Sequence, residues 1–153
     1  SNNLRRHLGK SEQVILLSAT AGERVEEVAA KAFADDKYAL GLLIDAAATT
    51  VVEQIADELE KLILAKYKGH GFRLLTRFSP GYGDWDLKEQ EIVAKLANAE
   101  AIGVTLTDSL MLMPRKSITA IIGLTTETKP GTFTKGCQSC SLTDCTLRKD
   151  GAK

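Results

Sequence analysis

The sequence has no surplus of charge and little cysteine. Lysine plus arginine and aspartate plus glutamate number 20 each, so no net field attracts nucleic acid or an anionic membrane. The only cysteines are Cys137, Cys140 and Cys145, which follow a C-x2-C-x4-C spacing near the end of the sequence. An odd number at that spacing does not resemble the disulfide framework of a secreted protein.

Other missing features exclude further classes of protein. No basic leader with an apolar core opens the sequence, which argues against a secretory signal. The most apolar region, Tyr38–Ala56, is interrupted by Asp45 and Glu53, so we expect no membrane span. No G-x-G-x-x-G follows the first predicted strand, and His7 and His70 are too isolated to suggest a catalytic pair. The lack of a secretory signal and of a membrane span predicts a cytoplasmic protein.

The patterns that are present predict one α+β domain. A length of 153 residues fits a single domain with a real core. Apolar, partly β-branched runs predict strands, and periodic apolar stripes predict helices. The strands are Val14–Thr20 and Phe72–Phe78, and the helices are Leu4–Leu8, residues 23–36, Tyr38–Tyr67 and Leu87–Asn98. Residues 1–124 form the expected core, and residues 125–153, without periodicity, form an irregular tail that contains the cysteines.

Two details of this domain can be predicted more sharply. Strands Ser109–Met113 and Ser117–Leu124 are separated by three residues that include Pro114, which predicts a tight antiparallel hairpin. The first half of helix Tyr38–Tyr67 is apolar on nearly every side, which predicts that it lies inside the domain. The expected architecture is a mainly antiparallel twisted sheet packed with helices.

The stretch RFSPGYGDW, Arg77–Trp85, concentrates a guanidinium, a Pro-Gly corner and two aromatic rings in one turn. A guanidinium at the end of a strand can hold a carboxylate at two points. On the residues alone, a surface ion pair with Asp84 or Asp86 is the simpler interpretation. Tyr82 and Trp85 could stack on a flat ligand, and the alternative role for Trp85 is to anchor the loop as a partly buried ring.

Glu53 is a second candidate for a binding residue. It lies among apolar neighbours in a predicted helix, where an unpaired carboxylate is costly. It therefore either meets a cation or turns to solvent. Asp57 lies four residues later on the same face, and an exposed stripe is the simpler explanation for the two acids.

The tail cysteines Cys137, Cys140 and Cys145 are candidate ligands for zinc or an iron–sulfur cluster. Both kinds of site generally use four protein ligands, and only three thiols are present. A fourth ligand could come from Asp144, a histidine, a second chain or an exogenous molecule. The alternative is that the three thiols bind no metal and are simply reduced or oxidised.

These pieces together resemble the activation domain of cobalamin-dependent methionine synthase, and especially its short free-standing relatives in corrinoid-using bacteria. The resemblance covers nearly the whole sequence in family order. Its most diagnostic motifs are RFSPGYGDW and MPRKSITAIIGL. The others are LLSATAGERVEE, LLIDAAATTVVEQIADELE and the tail CQSCSLTDC. An earlier family segment that contributes an acidic ligand-binding residue has no counterpart here, so residues 1–124 are expected to represent part of the family domain.

The resemblance implies a binding site for S-adenosylmethionine. Arg77 matches the family arginine that grips the ligand carboxylate, and Glu53 matches a helix carboxylate that faces its positive end. Gly81 and Tyr82 match the family Gly-Tyr pair, where the backbone approaches the ligand closely. Trp85 is included in the predicted site because its ring, like that of Tyr82, could stack on a flat ligand.

The resemblance also implies a role in reductive reactivation. A reductant such as flavodoxin or ferredoxin reduces an inactive corrinoid on methionine synthase or a related methyltransferase, and S-adenosylmethionine then supplies a methyl group. The domain would act as an accessory that provides position and electrostatics. Two other interpretations stay open at this stage: a metal- or redox-responsive module centred on the cysteine tail, and an adaptor that docks on a corrinoid protein without binding the ligand.

Overall fold

The computed structural model describes residues 1–127 of the chain. Helices and strands alternate in an α+β arrangement, which confirms the predicted fold class for this part of the chain. Its helices are α1 (Asn2–Leu8), α2 (Glu23–Ala34), α3 (Tyr38–Lys68) and α4 (Gln90–Leu96). Its strands are β1 (Gln13–Thr20), β2 (Arg73–Leu74), β3 (Thr105–Leu106), β4 (Leu112–Met113) and β5 (Ser117–Thr125).

Strand β5 lies at the centre of a three-stranded antiparallel sheet with the order β1-β5-β2. The pairing with β1 is continuous from Gln13 opposite Leu124 to Thr20 opposite Ser117. On the other side, β2 pairs over two residues only. The predicted strand Phe72–Phe78 is therefore mostly irregular, although Phe78 forms an isolated bridge with Ile121 of β5. A second sheet of two strands contains β3 and β4.

The predicted hairpin between the last two strands is wrong. Strand β4 pairs with β3, and β5 pairs with β1 and β2, so the residues around Pro114 connect two different sheets. The burial of β5 explains this arrangement. Seven consecutive residues of β5, from Thr119 to Thr125, are buried, so both faces of the strand are covered and it pairs with strands distant in sequence.

The two faces of the three-stranded sheet carry separate clusters of buried side chains. Leu17, Ala120 and Ile122 form the cluster on the α3 side, where Ile63 of α3 packs against them. Phe78, Trp85 and other residues form the opposite cluster, against which Leu4 and Leu8 of α1 pack. Alternation along the irregular segment beside β5 places Arg77 toward α3 and Phe78 toward α1.

The expectation that the first half of α3 lies inside the domain is also wrong. Its inner face is buried at Gly41, Ala48, Val52 and Ala56. The opposite face is open, and Leu43 is 67% exposed. Apolar composition alone could not distinguish a helix buried all round from one that packs on a single side. Within the described residues α3 is the one helix long and apolar enough to cross a membrane, but such a test also selects core helices.

Candidate functional site

Three acidic side chains of α3 converge on Arg77. Nη2 of Arg77 lies 2.6 Å from Oε2 of Glu53. Nη1 lies 2.6 Å from Oδ1 of Asp57 and 2.5 Å from Oε1 of Glu60. We call these four residues the Arg77 cluster. It joins the middle of the longest helix to the beginning of the RFSPGYGDW turn.

The helix geometry explains why three acids can reach one guanidinium. Glu53, Asp57 and Glu60 follow one another at spacings of four and three residues, so they lie on the same side of α3. This stripe adjoins the inner face that contains Val52 and Ala56. The Arg77 side chain is only 12% exposed, whereas the exposure of the acidic side chains ranges from 25% for Glu60 to 59% for Asp57. The cluster therefore sits at the edge of the interface between α3 and the sheet.

The electrostatics of the cluster favour a charged arginine. Burial alone would lower the pKa of Arg77, but hydrogen bonds to Asp57, Glu60 and Glu53 outweigh it and raise the pKa above its usual value. Three carboxylates surround one cation, so the cluster has an excess of negative charge. Such a site can hold a cationic group next to the acids and an anionic group at the guanidinium.

The structure bears on two details predicted for these residues. Glu53 was expected either to meet a cation or to turn to solvent, and it does both, because it pairs with Arg77 while 54% of its side chain is exposed. The suggested surface pairing of Arg77 with Asp84 or Asp86 does not occur. Asp84 accepts hydrogen bonds from the start of α1, and Asp86 accepts one from the backbone of Lys88.

Gly81, Tyr82 and Trp85 form the rest of the turn. Gly81 has φ +88°, a left-handed conformation that favours glycine, and its amide donates to the carbonyl of Trp85 at 2.8 Å. Tyr82 is 66% exposed. Trp85 is buried and stacks on Phe78 with ring centroids 5.9 Å apart, so the structure gives it the position of a loop anchor.

Sequence reasoning overlooked two members of the cluster. The sequence predicts Asp57 as part of an exposed stripe with Glu53, and nothing in it distinguishes Glu60 from other acids of the helix. The available signal was the spacing of the three acids, but helix periodicity does not identify the cation that they meet. Arg77 reaches them only through the long-range pairing of residues 74–78 with β5.

No group of three or more residues suited to a metal ion occurs among residues 1–127. Cys137, Cys140 and Cys145, which were predicted as possible metal ligands, lie outside the described residues. The zinc and iron–sulfur hypotheses therefore gain no support from this part of the chain.

The fold and the cluster define an α+β domain in which a helix and a glycine-containing turn share one arginine. A family model described as "Vitamin B12 dependent methionine synthase, activation domain" matches residues 5–138. Because this match spans most of the chain, the protein belongs to that family, as the sequence motifs predicted. A comparison with curated proteins gave no significant match. Family membership assigns the chain to the reactivation of cobalamin-dependent methionine synthase.

Proposed function

We propose that this chain binds S-adenosylmethionine at the Arg77 cluster and the adjoining turn, and presents its methyl group to a corrinoid. The corrinoid would be held by methionine synthase or a related methyltransferase. The observation that carries the proposal is the convergence of Arg77 with three carboxylates of α3 beside the turn.

The charges of the ligand and the cluster are complementary. The ligand has a carboxylate, an ammonium group and a positively charged sulfonium. Arg77 can receive the carboxylate at two points if it releases one of its more exposed partners, Glu53 or Asp57. The released acid would then face the ammonium or the sulfonium, so each lost ion pair is replaced by another.

The turn offers a second set of contacts. The left-handed backbone at Gly81 allows the chain to turn sharply just before Tyr82, whose exposed ring can stack on an adenine. Trp85 supports this turn from the core through its contact with Phe78. We therefore propose that Glu53, Arg77, Gly81 and Tyr82 contact the ligand, whereas Trp85 belongs to the site by holding the turn.

In the reaction that this role implies, the ligand donates a methyl group to a corrinoid that a flavodoxin- or ferredoxin-like protein has reduced. The residues of this chain bind and orient the donor and need no general base. Such a role places the protein in the cytoplasm, as an accessory module of a methyltransferase.

Isothermal titration calorimetry with S-adenosylmethionine tests the proposal. Arg77→Ala should weaken binding by about 10- to 100-fold, because charge-assisted hydrogen bonds to the ligand carboxylate are lost. Arg115→Ala is the matched control, since Arg115 is 57% exposed and pairs with Glu26 of α2 instead. Its affinity should stay within about twofold of the wild type, as expected for loss of an exposed ion pair.

A neutral analogue tests the role of the acids separately. S-adenosylhomocysteine lacks the methyl group and the positive charge on sulfur, so the wild type should bind it more weakly than S-adenosylmethionine. Glu53→Gln should reduce this preference. Absence of S-adenosylmethionine binding to the wild-type chain, or equal loss in the Arg77 and Arg115 variants, would contradict the proposal.

A further inference from the structure

The carboxylate of Asp84, within the RFSPGYGDW turn, caps the N-terminus of α1. It accepts hydrogen bonds from the amides of Asn2 at 2.8 Å and Asn3 at 3.0 Å, and from the hydroxyl of Ser1. The Ser1 hydroxyl in turn accepts from the amide of Leu4 at 2.9 Å. The three hydrogen bonds to Asp84 join positions more than 80 residues apart in sequence. We call this set of hydrogen bonds the Asp84 cap.

The backbone of the turn also lies directly against α1. Gly83 has φ +58°, and a Cβ atom added there would lie 2.5 Å from Nδ2 of Asn3. A larger residue between Tyr82 and Asp84 would therefore adopt a conformation that favours glycine and would have to displace the end of the Asn3 side chain. This close approach is independent of the hydrogen bonds made by Asp84.

The other end of α1 contacts the same loop again. Nε2 of His7 donates to the carbonyl of Thr76 at 2.7 Å, and its ring lies 5.4 Å from that of Phe78. Phe78 stacks on Trp85 in the cluster against which Leu4 and Leu8 pack. Helix α1 thus spans the loop from Thr76 to Asp84, with Arg77 and Tyr82 between the two points of attachment.

Charge reinforces the cap. The hydrogen bond from Ser1 is the main reason that the pKa of Asp84 falls to about 2. Desolvation, the second-largest effect, opposes it, and the amides of Asn3 and Asn2 lower the pKa further. Asp84 is therefore ionised at neutral pH, where its negative charge also favours the N-terminal end of a helix.

We infer that α1, through the Asp84 cap, is a positioning element that holds the turn in the conformation needed to bind S-adenosylmethionine. The inference rests on the proposed function, because it assigns a role to residues beside that same site. Tyr82 is well exposed, with its ring 6.4 Å from that of Phe78, and the two residues that follow it, Gly83 and Asp84, are the ones that contact α1.

The test uses the single tryptophan as a probe of the turn. Trp85 is buried one residue after Asp84, so release of the turn should shift its fluorescence to the red and increase quenching by acrylamide. Asp84→Ala should produce this change and weaken S-adenosylmethionine binding by about tenfold, a size typical of losing an N-cap. Far-ultraviolet circular dichroism should show that the variant remains folded.

Asp86→Ala is the matched control. Asp86 is also an N-cap aspartate one residue from Trp85, but its side chain accepts from Lys88 and serves the turn Leu87–Glu89. It should leave acrylamide quenching and ligand affinity within about twofold of the wild type, as expected for a local surface change. Asp84→Asn keeps one acceptor oxygen and should give values between those of the wild type and Asp84→Ala.

The outcomes separate this inference from the proposed function. Unchanged Trp85 fluorescence in Asp84→Ala, or equal changes in the Asp84 and Asp86 variants, would overturn the positioning role. If Asp84→Ala does not fold, unchanged quenching and affinity in Asp84→Asn would also overturn it. Failure of the wild type to bind S-adenosylmethionine would refute the proposed function and with it the positioning role, even if the fluorescence change shows that the cap exists.

Discussion

Replacing Arg77 with glutamine should destabilise the fold even when no ligand is involved. The change removes the positive charge of the cluster and leaves Glu53, Asp57 and Glu60 close together on one face of α3. Carboxylates gathered around a cation repel one another once that cation is removed, and those that are partly buried cannot be fully solvated.

The size of the effect follows from the exposure of each partner. Glu53 and Asp57 are more than half exposed, so each of their pairs with Arg77 contributes less than about 1 kcal/mol. Glu60 is 25% exposed, and its charge-assisted hydrogen bond is worth about 1.5 kcal/mol. Arg77→Gln should therefore lower the free energy of unfolding by about 2 kcal/mol, allowing for incomplete additivity.

Urea unfolding followed by circular dichroism measures this quantity. The matched background carries Glu53→Gln, Asp57→Asn and Glu60→Gln together. In that background Arg77→Gln should cost less than about 0.5 kcal/mol, because no carboxylate loses its cation. Among the single variants, Glu60→Gln should cost more than Asp57→Asn. Equal costs of Arg77→Gln in the two backgrounds would refute the view that the cluster is coupled.

Three further predictions concern the scaffold. Ile122→Ala should lower the free energy of unfolding by about 3 kcal/mol in urea unfolding, because the side chain is fully buried between β1 and α3. Gly123→Ala should also destabilise, by about 2 kcal/mol, since the added Cβ would meet Ser11 and Leu75, whereas Gly69→Ala meets nothing within 4 Å and should be neutral or stabilising. Folding lowers the pKa of Asp84 from 3.8 to about 2, so ionised Asp84 stabilises the fold above pH 3.8 and this contribution is lost as the pH falls toward 2. Asp84→Asn should remove this part of the pH dependence of the free energy of unfolding, measured by urea unfolding at several pH values.

Local patterns predicted the elements whose partners are near in sequence or whose periodicity is strong. Helix α3 ends within one residue of its predicted limit, and β1 begins one residue before the predicted strand. Pairing was harder to predict, because a short connection at Pro114 looks the same whether it joins paired strands or two different sheets. The strands on either side of Pro114 do not pair with each other, because both faces of β5 are buried and β5 pairs with β1. This burial depends on elements distant in sequence.

The candidate site was predictable in its components rather than in its arrangement. Arg77 and Glu53 were singled out from their residue types and from family resemblance, and the structure brings them into direct contact. Asp84 was first considered as a partner for Arg77, whereas it caps a helix that begins 82 positions earlier. Charge and spacing in the sequence suggest that Asp84 pairs with Arg77 on the same turn, and they do not reveal a partner as distant in sequence as α1.

The RFSPGYGDW turn is held between α3 and α1, which limits how it can move when a ligand binds. Arg77 and Phe78 are consecutive, yet Arg77 contacts the acids of α3 on one face of the sheet and Phe78 contacts His7 of α1 on the other. The backbone bonds between Phe78 and Ile121, at 2.9 and 2.8 Å, hold this crossing point against β5. A ligand that draws Arg77 away from α3 must therefore do so mainly by side-chain rotation, because the backbone is fixed on both sides. In the proposed site this rigidity would lower the entropy lost on ligand binding. The side chains of Arg77 and of the exposed acids of α3, rather than the backbone of the turn, would then supply the movement.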